Sequence, residues 1–298
     1  MIEGVPMGRS AVSPRRTNSW FRVLLMGMLF YILAIVVLFL THNPNLFPTA
    51  LLLGSFMVPA AYVSFFYERR HLSQLSMPST VLAFVYGGVL GTLGASLLEP
   101  LLVGGRNLLG FFTVGLIEEF VKILGVLVIA RRRRCDSELD GLILGAAAGM
   151  GFAALESTGY GFTAFLESRS LSFTFSVVFI RAFLAPVGHG TWTAILASVL
   201  FRECGGMRFH ISSSVVGAYL VVAFLHGAWD ALPDIITKLF SVSTIGPAPL
   251  ALLAGQMMVG IISFLILWRR WREGKRQQLD RNEPAAIEAP QEQRASHE

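Results

Sequence analysis

The sequence predicts an all-α protein, a polytopic membrane bundle of about eight transmembrane helices. Of its 298 residues, 54% are hydrophobic and 14% are charged, whereas a soluble domain of this length has about 25% charged residues. A helix that crosses the hydrocarbon core needs roughly 20 mostly apolar residues. Runs of about that length lie at about 20–40, 48–66, 79–98, 107–130, 140–166, 172–200, 211–232 and 245–268.

The lysine and arginine residues predict that both termini face the cytoplasm, because cytoplasmic loops are enriched in these residues. If the runs alternate from a cytoplasmic N-terminus, the inside segments hold Arg9, Arg15, Arg16, Arg22, Arg69, Arg70, Arg131 to Arg134, Arg202, Arg208 and the arginines from Arg269 onward. The outside loops hold Arg106, Arg169 and Lys238. The first run exceeds the roughly 7–15 apolar residues of a cleavable signal peptide, so we expect it to anchor the chain.

The net charge of +5 predicts contact with anionic lipid headgroups and no binding of nucleic acid. The polar end of the chain cannot bury enough apolar surface to order itself. We expect a cytoplasmic segment at 1–19, three accessory transmembrane helices at 20–106, a catalytic core of four helices at 107–232, a C-terminal transmembrane helix at 233–270 and a disordered cytoplasmic tail at 271–298. Any chemistry is therefore expected among the helices.

Ionisable residues concentrate in runs four to seven. A charge at the bilayer centre costs roughly 2.5–3.5 kcal/mol on insertion scales, and the cores of the first three runs contain none. Runs four to seven contain Glu118, Glu119, Lys122, Glu156, Arg181, His189, His226 and Asp230. Counted from the cytoplasmic ends, both histidines, Glu118 and Glu156 lie roughly 19–24 Å deep at 1.5 Å per residue. The sequence predicts one shared site at or beyond mid-membrane, towards the outside.

The residues Glu118 to Lys122 predict two carboxylates in different environments. Glu118 and Lys122 are one helical turn apart and can pair, whereas Glu119 points about 100° away on the same helix. A lysine can hold one carboxylate ionised while the other is less compensated. Two carboxylates that differ in this way suit general acid–base catalysis.

The other ionisable residues predict either a metal site or a metal-free one. Asp230 lies one turn after His226 and can orient its imidazole. His189 follows a proline and a glycine, which favour a kink. Glu156 has no basic partner nearby in sequence and must find one in space, whereas Arg181 is interpreted as a structural residue or a partner for a substrate carboxylate. Two histidines and a glutamate could hold Zn²⁺ with an open position, with a further glutamate as the base. Equally, glutamate and histidine could activate water without a metal.

A stripe of small residues in the fifth run predicts close helix packing. Gly141, Gly145 and Gly149 recur every four residues, and Ala153 continues the series. Such a stripe lets another helix approach closely. We expect the fifth helix to pack tightly against a neighbour and to present Glu156, which ends the stripe.

Together, these motifs resemble the PrsW family of bacterial membrane proteases, which is related to the CAAX-type prenyl proteases and, more distantly, to a scaffold subunit of gamma-secretase. The motifs are Glu-Glu-x-x-Lys at 118–122, Phe-x-x-x-Glu at 152–156, the histidine at 189 and His-x-x-x-Asp at 226–230. The resemblance covers roughly 107–232. Prenyl proteases have Glu-Glu-x-x-x-Arg, and residue 123 is Ile here, so a CAAX substrate is disfavoured.

The resemblance implies a multi-pass protease of the bacterial inner membrane that cleaves membrane-anchored anti-sigma factors on their outer side. The implied partners are that protein substrate and the lipid bilayer, and the implied cofactor is Zn²⁺ or none. The implied site consists of catalytic Glu118 and Glu119, of Glu156, His189 and His226 as ligands of a metal or of water, and of Lys122 and Asp230 as supporting residues.

Two other classes of membrane protein also bury ionisable residues. Proton-coupled transporters use such chains as relays, but their folds often show inverted repeats, and here the charges lie in one half of the chain. An inactive scaffold would keep the packing motifs, but the intact Glu-Glu pair with both histidines favours an enzyme. The sequence therefore predicts a membrane endopeptidase with a water-accessible cavity among runs four to seven.

Overall fold

The computed structural model describes residues 18–70, 73, 75–131, 137–204, 208–240 and 247–282. The described residues form the helices α1 (Ser19–Thr41), α2 (Leu46–Glu68), α3 (Met77–Leu102), α4 (Leu108–Ala130), α5 (Glu138–Ser168), α6 (Leu171–Leu184), α7 (His189–Arg202), α8 (Ser213–Phe240) and α9 (Pro247–Asn282). This confirms the prediction of an all-α polytopic bundle.

Within the described ranges, seven segments are long and apolar enough to span a membrane. One of them, Leu171–Arg202, contains both α6 and α7, which are separated by a short break. α4 has 23 residues, a similar length, but carries three ionisable side chains near its middle. With α4 included, these segments match the eight apolar runs of the sequence.

α5 is the central helix of the bundle. It is buried along most of its length and packs against α2, α3, α6 and α7. Gly141, Gly145 and Gly149 face α7, because a Cβ added to any of them would collide with a backbone carbonyl oxygen of that helix. This confirms that the small-residue stripe allows a neighbouring helix to approach closely.

The peripheral helices present apolar side chains to their surroundings. On α3, for example, Leu93, Leu97 and Leu101 are all more than 60% exposed. Exposed apolar surfaces of this extent are rare on soluble monomers and suit the hydrocarbon core of a bilayer. The polar and charged side chains of α4, by contrast, point inward.

The C-terminal region differs from the prediction of a disordered tail from residue 271, because α9 continues as a helix to Asn282. Arg270 Nη1 donates to Glu138 Oε1 (3.0 Å), and the backbone N–H of Glu138 donates to Gln277 Oε1 (3.0 Å). These bonds to the start of α5 order a segment that has little apolar surface to bury. Residues 283–298 of the predicted tail and 1–17 of the predicted N-terminal segment lie outside the described residues.

α3 is longer than the run at 79–98 predicts. It continues to Leu102, and its last turn is closed by the backbone N–H of Val103, which donates to the carbonyl oxygen of Glu99 (2.8 Å). The helix therefore includes Glu99, although no charge was expected in the first three runs. Its carboxylate is half-buried and lines an interior cavity, so the charge avoids the lipid.

Substitution of Gly145 by valine should destabilise the bundle. A Cβ at this position would lie 2.7 Å from Ala197 Cβ and 2.8 Å from Ala194 Cα, so α5 and α7 would have to separate. Overpacking of this kind costs about 1–3 kcal/mol, which unfolding in detergent micelles would measure. Gly159→Val on the same helix is the matched control, because a Cβ there meets nothing within 4 Å. Equal stability of both variants would contradict the packing described here.

Candidate active site

The break between α6 and α7 places His189 at the first position of a helix inside the bundle. The backbone N–H groups of Val187 and Gly188 donate to the carbonyl oxygen of Leu184 (3.0 and 3.3 Å), and Thr191 Oγ1 donates to that of Pro186 (2.7 Å). Non-helical backbone at membrane depth is tolerated where it lies within protein or lines a cavity. The break meets the second of these conditions, because Gly188 and His189 line the interior cavity.

α4 and α8 approach each other closely beside this break. A Cβ on Gly115 would collide with the backbone of Ala223, and one on Gly227 would lie 2.6 Å from the ring of Phe112. The Tyr219 hydroxyl donates to a backbone oxygen of α4 (2.7 Å). This contact brings the two glutamates of α4 opposite His226 of α8.

The ammonium group of Lys122 is the centre of the cluster. Its Nζ lies 3.0 Å from Glu118 Oε2, 2.9 Å from Glu119 Oε1 and 2.9 Å from His189 Nδ1. A lysine has three N–H donors, and these three acceptors use all of them. The Phe152 ring packs 4.1 Å from the same atom, and the side chain is fully buried. Lys122 thus holds α4 and α7 together at the site.

The two glutamates have different surroundings. Glu119 is fully buried, and Thr193 Oγ1 donates to its second oxygen (2.9 Å). Glu118 has a slightly exposed side chain and lines the interior cavity. That the two carboxylates differ in ionisation stays a prediction. In the structure, they differ in their access to the cavity.

His226 lies behind the cavity wall among carboxylates. Its Nδ1 lies 3.1 Å from Glu119 Oε1, and its Nε2 lies 3.4 Å from both Glu118 Oε2 and Asp230 Oδ2. The ring stacks on Trp192, with centroids 4.7 Å apart. The Trp192 indole in turn donates to a serine of α9 (2.9 Å). These contacts fix the imidazole in one orientation.

Glu156 joins His189 to Arg181. Its Oε2 accepts from Arg181 Nη2 (2.8 Å) and lies 3.2 Å from His189 Nε2. Because Lys122 donates to Nδ1 of the same imidazole, the ring proton of a neutral His189 belongs on Nε2, where it donates to Glu156. The Arg181 guanidinium lies 3.9 Å above the Tyr160 ring.

The cluster opens into a cavity of about 570 Å³. Glu118, Glu156, Arg181, His189 and Asp230 line it, while Trp192 and Trp229 form an apolar part of the wall. The α3 side contributes Thr92, Ser96 and Glu99, and Arg106 of the loop between α3 and α4 also lines the cavity.

The structure brings together all eight ionisable residues that the sequence places in runs four to seven. Thr193 was missed, although it lies one turn after His189 on α7, on the same face. Trp192 was missed because a tryptophan in an apolar helix carries no signal of its own. Glu99 was missed because the third run was ended one residue too early.

The charges and donors of the cluster fit a divalent cation. Glu118, His189 and His226 each offer a ligand atom, all within 4.8 Å of one another. Ligand atoms that share a tetrahedral zinc lie about 3.3 Å apart, and Glu118 Oε2 lies 3.4 Å from His226 Nε2 and 3.9 Å from His189 Nδ1. In this structure, the Lys122 ammonium contacts two of those three ligand atoms. The ligand set predicted from the sequence has Glu156, His189 and His226. In the structure, Glu156 contacts Nε2 of His189, whereas Glu118 is the carboxylate near its Nδ1.

The balance of charge also favours a further cation. Two permanent cations, Lys122 and Arg181, face four carboxylates, so two negative charges remain when all the carboxylates are ionised. The carboxylates belong to Glu118, Glu119, Glu156 and Asp230.

The fold and the site are those expected of an intramembrane hydrolase: a helical membrane bundle encloses carboxylates and imidazoles beside a cavity. The family model of PrsW family intramembrane metalloproteases matches residues 76–268, and the chain belongs to this family. No curated protein and no solved structure gives a significant match. The match confirms the predicted family, and it confirms the prediction of a membrane peptidase over a transporter or an inactive scaffold. It covers more of the chain than the motifs at 107–232, because it extends from α3 into α9.

Substitution of Lys122 by methionine should strongly destabilise the protein, because Glu118 and Glu119 would be left buried without their cation. Breaking a buried ion pair from one side costs about 3–5 kcal/mol. Unfolding in mixed micelles would measure the loss, and adding Glu118→Gln and Glu119→Gln to the same chain should recover most of it. Lys238→Met is the control, because that lysine is exposed and pairs with Asp234 at the surface. Wild-type stability of Lys122→Met would contradict the central role of this ammonium.

Proposed function

We propose that this chain is an endopeptidase that cleaves membrane-anchored proteins with a water molecule activated by Glu118. The observation that carries the proposal is the position of Glu118, which faces an interior cavity and contacts Lys122 and His226. Peptide hydrolysis within a membrane needs a polar space that holds water and a base beside it. Both requirements are met by this arrangement.

Glu118 is the better candidate for the general base than Glu119. A base must come within about 3 Å of the water that it deprotonates, and Glu118 lines the cavity. Glu119 is fully buried and is already bonded to Lys122 and Thr193. We assign Glu119 the role of holding Lys122 and His226 in place.

His189, Asp230 and Arg181 also line the cavity and would face a bound peptide. His189 is oriented by Glu156, whose own position is fixed by Arg181. Asp230 contacts His226 from the cavity side. We infer that these residues position the scissile peptide and carry the proton to its leaving amine.

In a metal-bound version of the site, in keeping with the metalloprotease family, Glu118, His189 and His226 would hold the ion once the Lys122 ammonium had moved off Glu118 Oε2 and His189 Nδ1. Glu118 would then act as a ligand in place of the base. Two imidazoles and a carboxylate form a ligand set that is typical of catalytic zinc. When bound, zinc lowers the pKa of a coordinated water to about 7 and polarises a carbonyl group. Glu156 would then orient His189, as carboxylates commonly do for histidine ligands.

The substrate that we propose is a single-span protein of the anti-sigma-factor type, cleaved near the outer face of a bacterial inner membrane. The depth of the motifs and the arginine distribution support an outer position. The cavity wall also includes Arg106, which lies in a loop that the arginine distribution assigns to the outside. Both termini would then face the cytoplasm.

Loss of the cavity-facing carboxylate should abolish cleavage. In proteoliposomes with a panel of tagged, single-span anti-sigma-like substrates, Glu118→Gln should lower kcat/KM by about 10²–10⁴-fold, the usual contribution of a general base. Glu119→Gln and His226→Ala should also lose activity, because they orient the same groups. Asp234→Asn on α8 is the control, since its partner is Lys238. Cleavage by Glu118→Gln at the wild-type rate would rule out the assigned base.

Removal of metal ions distinguishes hydrolysis that depends on a metal from hydrolysis by water that glutamate and histidine activate alone. A chelator should stop cleavage, and added Zn²⁺ should restore it. Elemental analysis of the purified protein should find about one zinc per chain, and His189→Ala and His226→Ala should both lose it. Full activity in chelator, with no metal in the protein, would favour water activated by glutamate and histidine alone.

A further inference from the structure

We propose that Thr92, Ser96 and Glu99 of α3 form a subsite that binds the backbone of an extended substrate segment beside the catalytic groups. The inference rests on the proposed endopeptidase function and adds to it a binding surface outside the catalytic motifs. All three side chains line the same cavity as Glu118 and His189.

The three residues form a polar face on the second half of α3, which is otherwise apolar from Gly87 to Leu102. Thr92, Ser96 and Glu99 are separated by four and three residues, so they lie on one side of α3. On another face of α3, Leu93, Leu97 and Leu101 are exposed to the surroundings. α3 therefore directs its polar groups into the cavity and its leucines outward.

The hydroxyl group of Thr92 differs from those of several other helical threonines in its hydrogen bonding. In a helix this hydroxyl commonly donates to the carbonyl oxygen four residues earlier. Several threonines of the described helices do so: Thr41, Thr80, Thr113, Thr158, Thr174 and Thr237. Thr92 Oγ1 is buried and has no hydrogen-bond partner among the described residues. Because the Thr92 side chain lines the cavity, a change of its χ1 rotamer would turn this unpaired hydroxyl towards a molecule bound there.

Glu99 is also left without a cation. No described residue forms an ion pair with its carboxylate, although it is half-buried at the cavity wall. A carboxyl group there can accept from a peptide N–H or, when protonated, donate to a peptide carbonyl. Ser96 adds a hydroxyl that can do either.

An unwound peptide at membrane depth needs such partners. A protease acts on extended backbone, and each backbone N–H or C=O freed from a substrate helix needs a hydrogen-bond partner, either from the cavity wall or from water in the cavity. The catalytic groups contact only the bond that is cut. A second polar wall can satisfy the neighbouring peptide groups.

The length of the polar face fits a short stretch of extended chain. Thr92 and Ser96 are about 6 Å apart along the helix axis, and Glu99 lies about 4.5 Å further. Peptide groups on one side of an extended strand repeat about every 6.6–6.8 Å. The three side chains therefore span about three residues of bound substrate.

The test compares steady-state cleavage by wild type, Thr92→Val, Ser96→Ala and Glu99→Leu. The probe is the single-span peptide that the wild type cleaves best in the panel above. A lost neutral hydrogen bond is worth about 0.5–1.5 kcal/mol, so each substitution should raise KM by about 3–10-fold. The kcat should change less than twofold, because binding of this kind is equal in the ground state and the transition state. Thr113→Val is the matched control, since its hydroxyl only bonds within α4.

Ester substitution in the probe identifies the contact itself. Replacing one backbone N–H at a time by an ester oxygen should weaken binding to the wild type at one or two positions. At such a position Thr92→Val, Ser96→Ala or Glu99→Leu should show no further loss, because the bond is already absent. An unchanged KM in all three variants, a loss confined to kcat, or an equal effect of Thr113→Val would overturn the subsite. If the wild type cleaves no member of the panel, the proposed function fails and the subsite with it.

Discussion

The buried ammonium of Lys122 is the interaction on which the rest of the site depends. It uses its three donors on Glu118, Glu119 and His189, which belong to two different helices. Two adjacent carboxylates at the centre of a membrane bundle repel each other and lack water to solvate them. A single cation between them makes their burial possible and at the same time fixes their distance from the imidazole. Glu119 can then serve as an anchor while Glu118 remains open to the cavity.

This cluster forms only because the helices approach each other unusually closely. Gly149 of α5 leaves room for the backbone of His189, and Gly115 of α4 leaves room for that of α8. Side chains at these positions would move the helices apart, and the hydrogen bonds of the cluster would lengthen. The break before α7 adds a second condition, since it lets a histidine stand at a helix start beside the cavity. The apolar packing of the bundle thus sets the geometry of its polar centre.

Most of the fold and the ionisable core of the site could be predicted from the sequence, for a physical reason. Charges are costly in lipid, so Glu118, His189 and His226 stand out against apolar surroundings, and the glycine repeat of α5 marks a close contact. Trp192 and Thr193 could not be found in this way, because such side chains are inexpensive in a helix. Glu99 was lost at an uncertain helix end. The helical C-terminal segment to Asn282 was missed because its order comes from bonds to α5, and sequence composition does not report such partners.

The three ionisable residues of α4 also bear on how the chain enters the membrane. Inserted alone, they would add roughly 8–10 kcal/mol to the transfer of that helix from the translocon into lipid. Lys122 compensates the two glutamates within α4 only in part, because one cation faces two carboxylates. The further partners, His189 and His226, lie on α7 and α8 and are synthesised later. α4 therefore depends on downstream helices for a stable place in the bilayer. The residues suited to hydrolysis are therefore also the ones that make exposure of their own helix to lipid costly.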